Sequence, residues 1–234
     1  MQELYDAVYG RGTLFGADRP LDSDPFAGGE GRRPHSIAVE GGAFGDEGKG
    51  KVVDAVCEAL IAQHGGAIVY RWNGGANAGH TVIYKGTRLA LHQLPSGVLF
   101  EAADVVLGKG MVLHPGDLVA EIDQVSGLAG EIPARLHIDE MAVLSLDTHR
   151  GLEAALKDWA TGGRGATGRG ISPAYADVLL RHPVRMRDLA ADDWEARLGA
   201  HYDLYHALTS GLGADFAAIE VPRLNSEPVA IGSK

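Results

Sequence analysis

Between a short apolar run that reads as a buried strand, Ser36-Ile37-Ala38-Val39-Glu40-Gly41, and a stretch with helical spacing, the chain carries Gly41-Gly42-Ala43-Phe44-Gly45-Asp46-Glu47-Gly48-Lys49-Gly50-Lys51. Glycine permits positive φ and close backbone approach, so successive N–H groups of such a loop can converge on one phosphate. The stretch that follows has Val52, Val53, Val56, Leu60 and Ile61 at helical intervals and stops at Gly65-Gly66, which predicts an amphipathic helix. Its positive end and the charge of Lys49 then face the same point. A loop of the GxxxxGK[ST] type has a hydroxyl for Mg²⁺ after the lysine, but Gly50 stands there. Magnesium takes hard oxygen ligands, commonly one or two carboxylates plus substrate phosphates, so Asp46 is the nearest candidate. The same letters also suit a plain strand-to-helix turn, with Asp46 as N-cap and the lysines in solvent.

The rest of the chain supplies a context for that loop. AIVYR (67–71) reads as a second strand, TVIY and TRLALHQL flank Lys85-Gly86 as a hairpin, and DVVLG (104–108) and RLHID (135–139) read as further strands. Pro115 to Val125 between them is helical. Strands alternating with helices predict an α/β fold with a mainly parallel sheet covered on both faces. Four stretches follow: a flexible leader (1–36) with one short helix at Glu3 to Tyr9; an α/β core (37–147); a helical subdomain (148–211) interrupted by the loop ATGGRGATGRGISP; and a partial return to the core (212–234) with a strand at AAIEVP (217–222).

Composition removes several function classes. With 45% hydrophobic and 22% charged residues the chain is of ordinary globular type rather than disordered. Its net charge of −10 disfavours attraction to nucleic acid or to an anionic membrane surface, so neither partner is expected. Cys57 is the one cysteine, which excludes an internal disulfide framework or a cysteine metal cluster. With no stretch of signal-peptide type and no run of roughly 18 apolar residues, the expected location is cytoplasmic.

A second glycine-rich loop follows the second strand: Arg71-Trp72-Asn73-Gly74-Gly75-Ala76-Asn77-Ala78-Gly79-His80-Thr81. In a parallel α/β sheet the loops leaving the carboxyl ends of strands converge on the ligand crevice, so Asp46 and His80 can meet. A lone histidine is more often structural, but beside a phosphate loop that holds an acid it becomes a candidate for chemistry. GDEGKGK, NGGANAGHT, LHQLPSG (91–97), GKGMVLHP (108–115) and GATGRGISPAYAD (165–177) occur in this order. Over roughly residues 36 to 190 the chain thereby resembles the adenylosuccinate synthetase family.

That resemblance implies a P-loop-like nucleotide-binding core and a GTP-dependent ligase that joins IMP and L-aspartate through a 6-phosphoryl-IMP intermediate. It implies Asp46 as catalytic base and Mg²⁺ ligand, with the backbone carbonyl of Gly79 completing the metal shell, and His80 as general acid. Gly45, Asp46, Glu47, Gly48, Lys49, Gly50, Lys51, Gly79, His80 and Thr81 would hold the phosphates of GTP. Asp46, Glu47, Gly48, Lys49, Asn77, Ala78, Gly79, His80, Thr167 and Arg181 would contact IMP. Arg181 would come from the neighbouring subunit of a homodimer, although a solvated helix-end cation is an equal reading of that residue. Phe44, Ala166, Ser172 and Val178 replace a usual tryptophan, threonine, glycine and lysine, and the motifs for guanine and aspartate are not found between Ala190 and Lys234. The chain is thus expected to be an amino-terminal piece, a reduced relative or half of a split enzyme. A binding module without turnover is the alternative function. A GTPase-like switch is disfavoured by Gly50. Retention of Asp46 favours IMP over dGMP, since related phage enzymes acting on deoxyguanylate typically lack it.

Overall fold

A computed structural model describes residues 37–42, 48–159 and 166–215. Helix α1 (Lys49–His64) starts and stops on left-handed glycines, Gly48 at φ 78° and Gly65 at φ 79°, where the Gly65 N–H closes onto the Ile61 carbonyl. Strand β1 (Ala67–Gly75) follows and pairs in parallel with β4 (Ala103–Leu113). Between them lies the hairpin β2 (His80–Tyr84) and β3 (Thr87–Leu91). Lys85 at φ 48° and Gly86 at φ 81° give it the two positive-φ positions of a tight primed turn, as expected.

Helix α2 (Pro115–Ala129) returns the chain to β5 (Leu136–Ile138), and a short run leads to β6 (Val143–Leu144). Both pair in parallel with β4, giving a sheet of order β1-β4-β5 with β6 also on β4. Three helices complete the described chain: α3 (Asp147–Asp158), α4 (Ile171–Leu180) and α5 (Trp194–Gly211). The main core joins Leu89, Leu91 and Leu94 to Val105, Leu107, Met111 and Leu113 of β4 and Leu118 and Val125 of α2. The fold is therefore the α/β, mainly parallel class expected.

Several expectations need correction. Residues 37–40 enter no ladder among the described residues, although Ile37 and Val39 are half-buried and Ala38 and Glu40 exposed. Alternation reports which side is covered, not whether a backbone partner is present. Strand β1 continues through Asn73-Gly74-Gly75, where glycine suggested loop, and β4 runs on past its expected end at Gly108 through Gly110 to Leu113. The reason is close approach: a Cβ on Gly75 would lie 2.5 Å from the Val112 carbonyl oxygen and 2.7 Å from Ile171 Cδ1, and one on Gly110 would lie 2.5 Å from the Trp72 carbonyl. Nor is the sheet covered on both faces among the described residues. Ile68, Tyr70 and Trp72 point to one side of β1 at 71, 54 and 54% exposure, and the Tyr70 ring lies across Gly108. The leader, the expected helix at 3–9 and the expected strand at 217–222 lie outside the described residues.

The hairpin strand was also expected to run on through Gln93 and Leu94, and it stops at Leu91 because the next amides have another acceptor. Glu121 of α2, buried to 6% exposure, takes the N–H of His92 at 2.7 Å, of Gln93 at 3.0 Å and of Leu94 at 3.2 Å. From the other side Arg71 donates to the carbonyls of His92 at 2.6 Å and Gln93 at 2.8 Å. Burial raises the Glu121 carboxyl above its usual range, against the three amides that favour its charge. Glu121→Gln leaves at least one buried amide facing an NH₂ group, so a loss of roughly 1–3 kcal/mol is expected. Urea unfolding should show a lower midpoint at unchanged slope; a midpoint equal to that of the parent would show that the segment does not depend on the carboxylate.

Candidate functional site

The carboxyl ends of β1 and β4 gather the sequence motifs, and side chains fasten them to one another. At the first loop, Gly48 is left-handed and exposed, with no atom of the described residues within 4 Å of where a Cβ would stand, and Lys49 and Lys51 are exposed at the start of α1. Gly45, Asp46 and Glu47 lie outside the described residues. The Ser96 hydroxyl donates to the Gly50 carbonyl at 2.9 Å, which ties the helix start to the segment 91–97. One turn further, Asp54 has a buried Oδ1 without a partner among the described residues, and burial raises its carboxyl, with the neighbouring Ser96 opposing the shift.

The second loop is braced from three directions. Asn77 folds its Oδ1 back onto the Gly75 N–H at 3.1 Å, and the Ala78 N–H reaches the Gly75 carbonyl at 3.2 Å. His92 Nδ1 sits 2.7 Å from the Ala78 carbonyl, an acceptor, so that nitrogen carries the proton. Tyr175 accepts the Gly74 N–H at 3.2 Å and donates to the Gly110 carbonyl at 2.7 Å, bridging both long strands from α4. Gly79 is exposed, and His80, expected in the loop, is the first residue of β2, opposite Leu91; Thr81 pairs with Ala90. Helix α1 packs on both β1 and β2.

The remaining motifs join the same end of the sheet. Gln93 exchanges two bonds with the backbone of His114, its Oε1 taking the N–H at 2.7 Å and its Nε2 reaching the carbonyl at 3.1 Å. His114 Nδ1 accepts the Asp117 N–H and so caps α2. Asp117 takes bonds from Arg150 and, at 3.2 Å, from Arg169. Burial pushes its carboxyl up, but the Arg150 hydrogen bond and the charges of His114, Arg150 and Arg169 outweigh this and hold it below the usual range. Arg169 is also held through its carbonyl by the Ser145 hydroxyl, and the Gly170 N–H by Glu153 at 2.9 Å. This leaves Ala166, Thr167 and Gly168 exposed on an anchored loop. Arg181, by contrast, is at the far end of α4, roughly 15 Å along the helix axis from that loop.

The sequence reading missed Arg71, His92, Gln93, Glu121 and Tyr175 as supports. The signal available for His92 and Gln93 was their place in LHQLPSG; Glu121 offered none, being an acid at an apolar position of α2.

Helices α3, α4 and α5 meet at a buried polar knot. Asp177 accepts from His149 Nε2 at 3.0 Å and from the Tyr205 hydroxyl at 2.8 Å, while His201 Nε2 and Thr148 Oγ1 are 2.8 Å apart. His149, Asp177 and His201 form the one group among the described residues close enough to share a metal ion. Yet His149 Nδ1 takes the Leu146 N–H at 2.9 Å, so its Nε2 carries a proton and donates to Asp177 instead of offering a lone pair. The trio is a hydrogen-bonded strut rather than a ligand set. Burial, then the neighbouring His149, lower the His201 imidazole from 6.5 to about 4.

A base depressed in this way leaves stability intact above pH 6.5 and removes it as the pH falls, because the unfolded chain takes up a proton that the folded one refuses until about pH 4. The loss over that window is on the order of 3 kcal/mol. Thermal midpoints measured from pH 7 to 4 should fall, and His201→Gln, which keeps a bond for Thr148 but does not titrate, should flatten that limb. An equal slope in the variant would assign the acid sensitivity to other groups.

A mainly parallel sheet with glycine loops and anchored motifs at the carboxyl ends of its strands defines an α/β protein of the mainly parallel class. A model of the adenylosuccinate synthetase family matches residues 38–227, and the chain belongs to that family. It is 38% identical over 208 residues to the adenylosuccinate synthetase of Myxococcus xanthus (strain DK1622), covering 85% of this chain and 46% of that protein. To the Xanthomonas euvesicatoria pv. vesicatoria (strain 85-10) protein of the same name it is 38% identical over 201 residues, covering 84 and 45%. The structure of fully ligated adenylosuccinate synthetase from Plasmodium falciparum matches with a TM-score of 0.62 at 33% identity, over 75% of this chain and 40% of that one. The chain thus spans just under half the length of these curated relatives. No helix among the described residues is long and apolar enough to cross a membrane.

Proposed function

We propose that the protein acts as a GTP-dependent ligase that joins IMP and L-aspartate to give adenylosuccinate, GDP and phosphate. The observation that carries this reading is the fastening of the family's motifs at one end of the sheet: Ser96 to Gly50, His92 to Ala78, Gln93 to His114, Tyr175 to Gly74 and Gly110, and Arg169 to Asp117. Phosphoryl transfer asks a protein mainly for positioning and charge neutralisation, which is what a rigid set of loops provides.

In this reading Asp46 takes the N1 proton of IMP, so that O6 becomes the nucleophile toward the γ-phosphorus of GTP, with GDP leaving. His80 hydrogen-bonds the phosphoryl group in transfer and acts as general acid. The amides of residues 45–51 and the charge of Lys49 hold the phosphates, with Gly79 and Thr81 across from them. Asn77, Ala78, Gly79, His80 and Thr167 contact IMP together with Asp46, Glu47, Gly48 and Lys49. The aspartate amino group then displaces phosphate from the 6-phosphoryl-IMP intermediate. A carboxylate of Asp46 and the carbonyl of Gly79 are oxygen donors of the hard type that Mg²⁺ takes. When bound, the ion would neutralise phosphate charge. The separation of Arg181 from the Thr167 loop along α4 supports its service in trans, to IMP in the partner subunit of a homodimer.

A second reading, purine nucleotide binding without turnover, draws on the coverage of 46 and 45% of the relatives' lengths. One assay separates the two. Purified protein with Mg²⁺ should release phosphate from GTP only when IMP and L-aspartate are both present, and Asp46→Asn should lower the rate at least about a hundredfold, the usual contribution of a positioned base. Phosphate release indifferent to IMP and aspartate, or an Asp46→Asn rate equal to the parent's, would sink the ligase reading; tight IMP binding at zero turnover would establish the second.

A further inference from the structure

Between the end of β1 at Gly75 and the start of β2 at His80 lie Ala76, Asn77, Ala78 and Gly79, and both ends of this span are fixed. At one end Arg71 Nη2 donates to the Gly75 carbonyl at 2.9 Å. At the other, His80 is paired with Leu91 of β3. Within the span the bonds are local, from the Ala78 N–H to the Gly75 carbonyl and from the Gly75 N–H to Asn77 Oδ1. Neither holds the peptide that joins Ala78 to Gly79. With no Cβ on Gly79, sterics leave that peptide free to turn over. Turning it over exchanges the directions of the Ala78 carbonyl and the Gly79 N–H.

His92 reaches this peptide from another part of the fold. Its Nδ1–H donates to the Ala78 carbonyl at 2.7 Å, and its ring lies 3.8 Å from where a Cβ of Gly79 would stand. His92 is itself fixed, since its N–H is taken by Glu121 at 2.7 Å and its carbonyl by Arg71 Nη1 at 2.6 Å. The pair of opposite charges thus ends in one imidazole aimed at one peptide. A trans peptide is planar with its carbonyl and N–H on opposite sides, and the described peptides are all trans. Holding the Ala78 oxygen therefore turns the Gly79 N–H away from His92, on a residue that is exposed.

Resting on the reading of this loop as an IMP contact, we propose that His92 is a positioning residue for nucleotide binding. Its Nδ1–H selects the orientation of the Ala78–Gly79 peptide in which the Gly79 N–H donates to an oxygen of the bound purine nucleotide. His92 touches no ligand in this scheme; it acts through Ala78. In the reversed orientation the Ala78 carbonyl stands in place of that N–H, and two acceptor oxygens form no hydrogen bond.

Two substitutions of similar polarity test this. His92→Asn keeps an N–H donor close to where Nδ1 stands, while His92→Gln moves the amide one bond outward, toward the place of Nε2. In the free full-length chain, hydrogen exchange read by mass spectrometry should show residues 74–80 exchanging about fivefold faster in His92→Gln and near the parent rate in His92→Asn. Calorimetric titration with IMP should show His92→Gln binding about tenfold more weakly and His92→Asn within about threefold of the parent. Exchange in His92→Gln equal to the parent's, IMP binding equally weak in both variants, or no IMP binding by the parent chain would overturn the proposal. Turnover measured on the same samples separates it from the ligase reading. A parent that binds IMP without turnover ends the ligase reading and leaves the contrast between the two variants standing, whereas a parent with turnover whose His92→Gln form matches it in IMP affinity ends this proposal alone.

Discussion

The arrangement of the site depends on three peptide units, His92 to Leu94, held between two buried charges of opposite sign. Arg71 at the end of β1 takes the carbonyls and Glu121 of α2 takes the amides. Burial alone would press each group toward its neutral form: it lowers the Arg71 guanidinium and raises the Glu121 carboxyl, and each is opposed by its partners. Neither charge is paired directly with the other by a hydrogen bond; the peptide dipoles between them serve as the connection. Removing either charge leaves the other buried with only half of its compensation, which is why such arrangements are costly to break. Because Arg71 also donates to the Gly75 carbonyl at 2.9 Å, the same pair fixes the point where the second glycine loop leaves the sheet.

The glycines of β1 and β4 have a different role from that of the first loop. Gly75 and Gly110 lie where one strand's backbone or the first residue of α4 comes too near for any Cβ. That closeness lets Tyr175 reach both strands with one hydroxyl. It also seats α4, which begins at Ile171, directly against Val112 of β4. Gly48, at φ 78° and with no close neighbour among the described residues, is instead a conformational glycine.

This difference explains what could be read from the chain alone. Helix α1, helix α2 and the hairpin were legible, since apolar spacing and the Lys85-Gly86 turn are local signals. The parallel class followed from the alternation of strand and helix. The ends of β1 and β4 were not legible, because a glycine that admits a neighbouring backbone and a glycine that bends a loop are the same letter. His80 was placed in a loop for the same reason, although its backbone opens β2. Of the candidate site, the motifs and their order were legible, while the bonds between them were not: Glu121 and its three amides are 27 to 29 residues apart, and one partner in each bond is backbone. Cover on both sheet faces, inferred from the pattern, is not found at Ile68, Tyr70 and Trp72 among the described residues, for no local signal says what lies opposite a strand.

Helix α4 is short, ten residues, yet it is held at three places by unrelated means. Its first turn is fixed by Gly170, whose backbone is bonded to Glu153 and packed too closely on His149 and Ser145 to admit a side chain. Its middle is fixed by Tyr175 on the sheet and by Asp177 in the polar knot with α3 and α5. Its end is fixed by the left-handed turn at Arg181. A helix pinned in this way sets the exposed Thr167 loop at its start and Arg181 at its end about 15 Å apart along one axis.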